Sequence, residues 1–475
     1  MIRNQMFVAV FFACMIGFYF HRAWRWEHGA KANTLDSEQY GKRTFIFVVP
    51  TILPWFLLIS FFFLIFQFGL SEGIVQFAAL MADVLLILSG YYVLLIILLP
   101  FLRKWYSARA CAVLWLIPAC LSYFWYALFY GIPLPHLTVY IPRTVLPAIG
   151  TVWLAGFLTV GGYYLISHIR FSRHILDTAS EESEPEILAI WTRELEALDY
   201  KLSVRLLRAD TSSPFSMGQT KRTRCTVLPR HSYSPDELSM IFRHELHHLQ
   251  RCDVDTKVFL CFCNALCWFN PLVWIATKKA AEDLELSCDE IVTEGMDETE
   301  RKIYGRLLLK TAVSAGGFTT CLSAAADTLR YRLKGVMDRK MRMPGTWLLT
   351  VSAFVCAMCY GTISVCDMRG SFTSLIMTPD VKITKVFDSQ NNAVMQYDSK
   401  ALSEELDKIR LEHISGFRDD ELKGERITFL LDGYKYAFLS DKAVFVQYYD
   451  QGHVYRDAYL VTDSIDWDAV CACFK

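Results

Sequence analysis

The sequence carries little charge of either sign. Only 20% of its 475 residues are charged, and the formal net charge is -1 at pH 7. Disordered chains combine high net charge with few apolar residues, so the 53% hydrophobic content excludes that class. No basic domain stands out, and we therefore expect no direct binding to nucleic acid. The same apolar composition argues against a soluble enzyme.

Cysteine is too sparse for a disulfide-based fold. The 15 cysteines of the chain fall well short of the roughly 8–10% content that marks small disulfide scaffolds. Most of them lie in apolar stretches or beside basic residues, where a reduced thiol acts as a small hydrophobic side chain. The sequence also lacks internal repeats and low-complexity tracts, which excludes solenoid architectures.

Long apolar runs, by contrast, are abundant. A helix of about 20 apolar residues crosses the roughly 30 Å of a membrane's hydrocarbon core, and four runs are long enough for this. A fifth run at the N-terminus is shorter, but no small-residue cleavage site follows it, so we interpret it as a retained span and not as a signal sequence. We predict about five transmembrane helices in an N-terminal membrane domain of residues 1–167, namely 6–20, 45–70, 76–100, 110–131 and 146–167.

The charges of the connecting loops predict the orientation. Loops 21–44 and 101–109 together carry eight Lys and Arg residues, whereas loops 71–75 and 132–144 carry only Arg143. Because Lys and Arg resist translocation, the two basic loops are expected in the cytoplasm. The chain is thus predicted to be a multi-pass membrane protein.

The rest of the chain divides into three parts. Residues 168–345 are polar enough for a domain in the cytoplasm, and the apolar run 346–366 has a basic flank before it. That run is predicted to be a sixth span. Residues 367–475 are then expected outside the cell.

One apolar stretch, 258–276, lies within the predicted cytoplasmic domain. Asn264 and the pair Asn270-Pro271 interrupt it, and both of its flanks are basic. We interpret it as a helical hairpin that is either buried in protein or dips into the bilayer. Asn270 is typical of a helix N-cap and Pro271 of a first helical position.

The chemistry is concentrated in a helix predicted to begin at Ser234. It contains His244 and His248 around Glu245, an H-E-x-x-H pattern. Imidazoles spaced i, i+4 lie on one helical face and can share a zinc ion, while Glu245 beside them can take a proton from a metal-bound water. The pattern also occurs by chance in roughly one or two chains in a hundred. The alternative is an amphipathic helix with exposed histidines.

A third ligand is needed to decide between these interpretations. On the helix predicted to begin at Pro271, Glu285 and Asp289 are spaced i, i+4. This spacing suits one carboxylate that binds the metal and one that holds an imidazole N–H. The hairpin turn at Asn270 could carry Glu285 back to the zinc. Three other carboxylates of this helix are the next candidates for the third ligand: Glu282, Asp283 and Glu290.

Three ordered segments, 244–253, 268–274 and 285–292, resemble the membrane-bound zinc peptidases of the BlaR and MecR antirepressor type. Segments 213–218 and 225–229 are similar to the strand pair that precedes the metal helix in that family. The resemblance implies a gluzincin with bound Zn²⁺ and assigns a role to each residue of the motifs. Its metal ligands would be His244, His248 and Glu285, its general base Glu245, and its supporting carboxylate Asp289. His247 matches a variable family position and is interpreted as solvent-facing.

The resemblance also implies a function. Family members are transmembrane receptors whose external sensor domain activates a cytoplasmic protease, which then removes a transcriptional repressor. The implied partners are a cytoplasmic protein substrate such as a repressor, the lipid bilayer and an extracellular ligand of unknown identity. A homodimer is left open. The external domain of the β-lactam-sensing members uses a Ser-x-x-Lys nucleophile, but no serine of residues 367–475 has Lys three positions later. Acylation by β-lactams is therefore not expected.

The tail nevertheless has the pattern of a folded domain. Runs of β-branched and aromatic residues between turns predict a small α+β domain of five or six strands. These strands are expected at 381–387, 393–397, 426–431, 434–439, 443–449 and 455–461, with a helix at 400–412. The alternating aromatic residues Tyr434, Tyr436 and Phe438 are interpreted as packing. Cys471 or Cys473 could pair with Cys366 in an oxidising exterior, and a free thiol is equally compatible with the sequence.

The sequence as a whole predicts a multi-span α-helical membrane protein. A cytoplasmic α+β gluzincin-like zinc peptidase domain is inserted between its helices. A small extracellular α+β domain follows at the C-terminus. The favoured function, which the resemblance implies, is a regulatory zinc endopeptidase embedded in the bacterial cell membrane. The alternatives are a constitutive membrane quality-control protease and a non-catalytic receptor with a structural zinc or no metal. Glu245 favours an enzyme, because a structural site has no use for a carboxylate that is not a ligand.

Overall fold

A computed structural model gives the fold of most of the chain. It describes residues 2–28, 52–124, 137–200, 202–218, 223–313, 322–338, 342–359, 363–377, 381–388, 390, 392–394, 396–414, 426–450 and 453–474.

Four segments in the described part of the chain are helical, long and apolar enough to cross a membrane. They lie in helices α1 (Ile2–Glu27), α2 (Ile52–Leu102) and α4 (Leu146–Thr178). Helix α2 supplies two of them, because Gly69 adopts φ 79° and ψ 170° and breaks the helix into Ile52–Leu70 and Gly73–Leu102. These segments coincide with four of the six predicted spans, and residues 45–51 of the second lie outside the described residues.

The predicted span 110–131 is not one continuous helix where it is described. Helix α3 covers only Ala108–Leu114, and a 3₁₀ helix follows at Ile117–Phe124. Pro118 has no backbone N–H and disfavours the α conformation of the residue before it, which explains the change. All of α3 is buried in the protein. Residues 125–131 lie outside the described part.

The predicted span 346–366 also differs from the structure. Helix α11 (Thr346–Met358) has 13 residues, which gives a length of about 20 Å, short of the hydrocarbon thickness. The strand β6 then begins at Ile363, inside the predicted span. Helix α11 is buried on one face only, since Trp347, Val351 and Val355 are 81%, 55% and 51% exposed. The hydropathy of this run did not distinguish a short apolar helix followed by a strand from one long helix.

The predicted peptidase domain, called the peptidase region below, is built from a small sheet and six helices among the described residues. The sheet has the order β2-β3-β5-β4, with strands at Ser180–Glu181, Arg205–Ala209, Phe215–Met217 and Cys225–Pro229 for β2 to β5. The predicted strand pair is confirmed, because β4 runs antiparallel to β5. The helices are α5 (Pro185–Ala197), α6 (Pro235–Arg251), α7 (Asp253–Leu266), α8 (Pro271–Val292), α9 (Glu298–Val313) and α10 (Leu322–Met337).

Both predicted helix starts are confirmed. The Ser234 hydroxyl accepts from the backbone N–H of Glu237, and the Glu237 carboxylate accepts from the backbone N–H of Ser234, a capping box at the start of α6. The Asn270 side chain accepts from the N–H of Leu272, and Pro271 opens α8. Local chemistry therefore sets both helix starts.

Helices α7 and α8 form the predicted hairpin. Its tip contacts the apolar helices, although Phe269 and Leu272 there are 52% and 43% exposed. At the tip, the Trp268 indole N–H donates to the Trp153 carbonyl of α4, and a side chain added at Gly156 would collide with the Trp268 ring. On the other side, the Asn270 amide donates to the Ser89 hydroxyl of α2. The hairpin thus joins the apolar helices to the peptidase region.

The C-terminal region is larger than the predicted five or six strands. Nine described strands form one sheet in the order β1-β6-β9-β13-β12-β11-β10-β7-β8. They span Leu137–Tyr140, Ile363–Ser371, Ile383–Phe387, Ala393–Val394, Arg410–Ile414, Arg426–Leu431, Lys435–Ser440, Ala443–Asp450 and His453–Val461 for β1 and β6 to β13. Three short helices, α12 to α14, lie at Phe372–Leu375, Ser399–Lys408 and Trp467–Ala472. The predicted helix 400–412 therefore ends early, because β9 begins at Arg410.

Strand β1 comes from the loop before α4 and pairs in parallel with β6. Sequence reasoning missed both strands, since β1 lies in a predicted loop and β6 in a predicted span. Their pairing brings the 132–144 loop and the C-terminal region to the same side of the apolar helices.

Two smaller expectations about the C-terminal region are also settled. Cys366 and Cys473 are free thiols, in agreement with the second of the two alternatives. The packing interpretation holds for Phe438, which contacts a buried cluster, and for Tyr436, which is 37% exposed but stacks on Phe438. It does not hold for Tyr434, which is 49% exposed.

Candidate metal centre

Three donor atoms from two helices converge in one place. His244 Nε2 and His248 Nε2, one turn apart on α6, lie 3.1 Å from each other. The Glu285 Oε2 atom of α8 lies 3.5 Å from the first and 3.6 Å from the second. Ligands bound tetrahedrally at 2.0–2.2 Å from zinc are themselves about 3.4 Å apart. The donor set and its spacing therefore fit a zinc ion.

The three donors line a cleft of about 290 Å³ that Glu245 also faces. The side chains around the cleft are of two kinds. Met240, Leu307 and Leu308 give it an apolar wall, while Lys257 and Arg332 supply positive charge. Strand β4, at the edge of its sheet, lies along the opening with Phe215 and Ser216. Glu245 thus borders a space in which an extended peptide could lie.

The remaining ring nitrogen of His248 is also occupied. Its Nδ1 atom lies 2.7 Å from Asp253 Oδ2 and 3.4 Å from Cys288 Sγ. Asp253 reaches the ring because Cys252, with φ 56°, ends α6 in the left-handed conformation and redirects the chain into α7. A carboxylate on the second nitrogen fixes the orientation and tautomer of an imidazole ligand.

His244 is held in a similar way from the other side. The Tyr304 hydroxyl donates to Asp289 Oδ1 over 2.7 Å and lies 3.1 Å from His244 Nδ1. Arg332 holds the same carboxylate with two N–H groups, each at 2.7 Å. Asp289 acts on His244 mainly through Tyr304, since its own distance to Nδ1 is 3.4 Å.

The electrostatics of the site favour an ionised Glu285 carboxylate beside a protonated His248 ring. Burial alone would raise the pKa of Glu285, but His248 and Lys257 hold that pKa well below its usual range. Burial would lower the pKa of His248, but Cys288, Glu285 and Asp253 hold it well above the ordinary value. Glu285 is therefore ionised at neutral pH, as a metal ligand must be.

His247 differs from its predicted place. It is buried, not solvent-facing, and burial beside Arg251 lowers its pKa to about 3. On α6 it points away from the cleft and toward Glu27, at the C-terminal end of α1.

The alternative carboxylates of α8 have other partners. Glu282 accepts from Thr328, Asp283 accepts from Trp115 and Tyr331, and Glu290 accepts from the backbone N–H of Ala108. Among the described residues, Glu285 is the carboxylate of α8 that groups with both motif histidines.

Residues 135–336 match the family described as BlaR1 peptidase M56. The chain carries a BlaR/MecR-type M56 peptidase domain. It is 28% identical over 184 residues to the Regulatory protein BlaR1 of Bacillus licheniformis, a match that covers 38% of this chain and 30% of that protein. The chain thus aligns with less than a third of the length of this relative. The M56 assignment indicates a metallopeptidase, and with the four apolar helices it indicates a membrane protein.

Sequence reasoning did not identify several residues around the M56 site. Asp253 was visible in the sequence, but residues five apart on a continuous helix point about 140° apart, and only the left-handed Cys252 brings it onto His248. Tyr304 and Arg332 lie on separate helices, and their roles depend on tertiary packing that no local pattern records.

Proposed function

We propose that this chain is a membrane-embedded regulatory zinc endopeptidase that converts an extracellular signal into cleavage of a cytoplasmic protein, most simply a transcriptional repressor. The observation that carries the proposal is the convergence of His244, His248 and Glu285 on a cleft that Glu245 borders. The M56 family match supports the class of reaction.

In this proposal His244, His248 and Glu285 hold Zn²⁺, which when bound would polarise a peptide carbonyl and lower the pKa of water to about 7. Glu245 accepts the proton of the attacking water and later returns it to the leaving amine as general base and acid. Asp253 and the pair Tyr304–Asp289 keep the two imidazoles oriented.

The shape of the cleft supports a peptide substrate. Strand β4 is an edge strand of its sheet, and an extended substrate segment can pair with such an edge by main-chain hydrogen bonds. Met240, Leu307 and Leu308 then offer an apolar surface to one substrate side chain. We expect cleavage within an unstructured or locally opened segment that has an apolar residue next to the cleaved bond.

The contacts of the connecting loops support the proposed orientation. Arg103, from the basic 101–109 loop, pairs with Asp283 of α8 at 2.6 Å. Strand β1, from the loop that contains only Arg143, pairs with β6 of the C-terminal sheet. The basic 101–109 loop therefore contacts the peptidase region and the opposite loop contacts the tail, as expected if the first lies in the cytoplasm and the second outside. In this proposal the chain crosses the membrane between α10 and β6, in a segment of which α11 forms only part.

We propose further that the C-terminal domain senses its signal by reversible binding, because it lacks a Ser-x-x-Lys nucleophile. Incubation of the full-length protein with a labelled penicillin should leave no covalent label on residues 363–474. A stable adduct on any serine of this region would contradict the proposal.

The decisive experiment compares the cytoplasmic proteomes of cells that express the parent chain and the Glu245→Gln variant. We expect one or a few proteins to be cleaved only with the parent chain and only under the inducing condition. Many cleaved or cleared misfolded proteins, independent of condition, would favour the quality-control alternative. Identical proteomes under every condition tested would support the non-catalytic receptor.

A further inference from the structure

A buried group of charged residues connects the end of α1 to the α6 helix. Glu27 is the last residue of α1, and its carboxylate accepts from Arg251 Nε at 3.2 Å and from Arg251 Nη2 at 2.9 Å. Arg109, at the start of α3, lies 3.2 Å from the same carboxylate. The side chains of Glu27, Arg109 and Arg251 are all at least nine-tenths buried. Two buried guanidinium groups thus share one carboxylate.

A third nitrogen of Arg251, Nη1, points to α8, the helix that carries Glu285. This Nη1 atom donates to Ser287 Oγ at 3.0 Å and lies 3.4 Å from Cys288 Sγ. Ser287 and Cys288 belong to α8, two and three residues beyond Glu285, whereas Arg251 lies on α6, three residues beyond His248. One side chain therefore bridges the helix with the two histidines and the helix with the carboxylate.

The same contacts lead to a metal-site imidazole. Cys288 Sγ lies 3.4 Å from His248 Nδ1 and 3.7 Å from Asp253 Oδ2. Arg251 thus abuts the group that orients His248, although it has no described contact with the cleft. A planar guanidinium can make all of these contacts at once because its five N–H donors diverge in a fixed plane, whereas the ammonium of Lys cannot.

On the basis of the proposed metal site, we propose that Arg251 is a positioning residue that sets the spacing of the two metal-binding helices, α6 and α8. Through its contacts with Glu27, this spacing depends on the position of the C-terminal end of α1. A shift of α1 would move Glu27, and Arg251 would carry the displacement to His248 and to the helix of Glu285. The geometry of the metal site is then coupled to the position of an apolar helix.

The test uses the full-length protein in detergent, with Zn²⁺ affinity measured by chelator competition and the visible spectrum recorded after loading with Co²⁺. Arg251→Lys keeps the positive charge but loses the planar guanidinium and its several N–H donors. We expect it to weaken Zn²⁺ binding by roughly 10 to 100-fold, the range for a residue that orients metal ligands, and to change the Co²⁺ spectrum, which reports ligand geometry. Glu27→Gln should change both readouts in the same direction.

The matched control is Arg208→Lys. Among the described residues Arg208 forms ion pairs with Glu182 at 2.7 Å and Glu184 at 3.8 Å, both outside the two metal helices. This variant should retain the parent affinity and spectrum even if its melting temperature falls.

The outcomes separate this inference from the proposed function. A parent protein that binds neither ion overturns both. A parent that binds Zn²⁺ tightly, with Arg251→Lys equal to it in affinity and spectrum, overturns the positioning role alone. If Arg251→Lys does not fold, Glu27→Gln decides, and an unchanged affinity and spectrum there overturns the coupling to α1.

Discussion

The Nδ1 atom of His248 lies 2.7 Å from Oδ2 of Asp253, although the two residues belong to different helices. The left-handed residue Cys252 between those helices makes this contact possible. On the other side of the site, Tyr304 and Asp289 occupy the equivalent nitrogen of His244. Each motif imidazole thus has its own acceptor, which leaves both Nε2 atoms directed toward Glu285.

Asp253→Asn should therefore weaken metal binding without unfolding the protein. The amide keeps the shape of the carboxylate but removes its charge, so His248 loses a charged acceptor on Nδ1. We expect a loss of roughly 10 to 100-fold in Zn²⁺ affinity, measured by chelator competition. Asp255→Asn, two residues further on the same helix, is the control and should match the parent. Parent-like affinity in Asp253→Asn would show that this contact does not orient the ligand.

Glu285→Ala tests the third ligand. Removal of the carboxylate leaves two imidazoles, an incomplete site from which a mild chelator should strip the metal. Metal content of the purified protein, before and after dialysis against the chelator, gives the measurement. Glu282→Ala is the control, because Glu282 lies on the same helix as Glu285 but accepts a hydrogen bond from Thr328 of α10. Retention of one zinc per chain in Glu285→Ala would show that another residue is the third ligand.

Glu245→Gln separates catalysis from metal binding. Since Glu245 borders the cleft but does not belong to the group of three donors, the variant should keep about one zinc per chain. Proteolysis should fall by at least about a hundredfold, the lower range for loss of a positioned general base. A cleavage assay on the identified substrate, run beside metal analysis, gives both values. Loss of metal together with activity would instead make Glu245 a ligand.

The features that sequence predicted correctly are local, and those it missed are not. The capping residues Ser234 and Asn270 act on backbone groups two or three residues away, so their roles are readable from sequence. The i, i+4 pair His244 and His248 is local for the same reason. The buried strand β6 was mistaken for part of a span, because a short apolar run does not reveal whether lipid or protein surrounds it.

Labelling of single introduced cysteines tests the membrane orientation. Asp210→Cys in the peptidase region and Glu404→Cys in the C-terminal region both lie at exposed positions. A membrane-impermeant maleimide applied to intact cells should label only Glu404→Cys, and permeabilised cells should label both. Because Cys14, Cys359 and Cys471 are also exposed, peptide mass spectrometry must read the label at the substituted position. Labelling of Asp210→Cys in intact cells would reverse the proposed orientation.

Metal affinity should depend on pH through His248. Burial disfavours the protonated imidazole, but Cys288, Glu285 and Asp253 together raise the pKa of His248 well above its ordinary value. A proton therefore competes with the metal for this ring at neutral pH, and binding must release it. Zn²⁺ affinity should fall by up to about tenfold for each unit by which pH drops below that raised pKa, if one proton is released.

Asp253→Asn removes one of the groups that raise the pKa of His248, so its affinity should begin to fall at a lower pH than that of the parent. Dissociation constants measured between pH 6 and pH 9 for both proteins give the two curves, and the Asp255→Asn control should follow the parent. The direction in which the affinity curve shifts along the pH axis is the informative result. A general loss of structure would weaken Zn²⁺ binding without changing the pH at which the affinity begins to fall. An affinity that does not change with pH in the parent would mean that His248 carries no proton for the metal to displace.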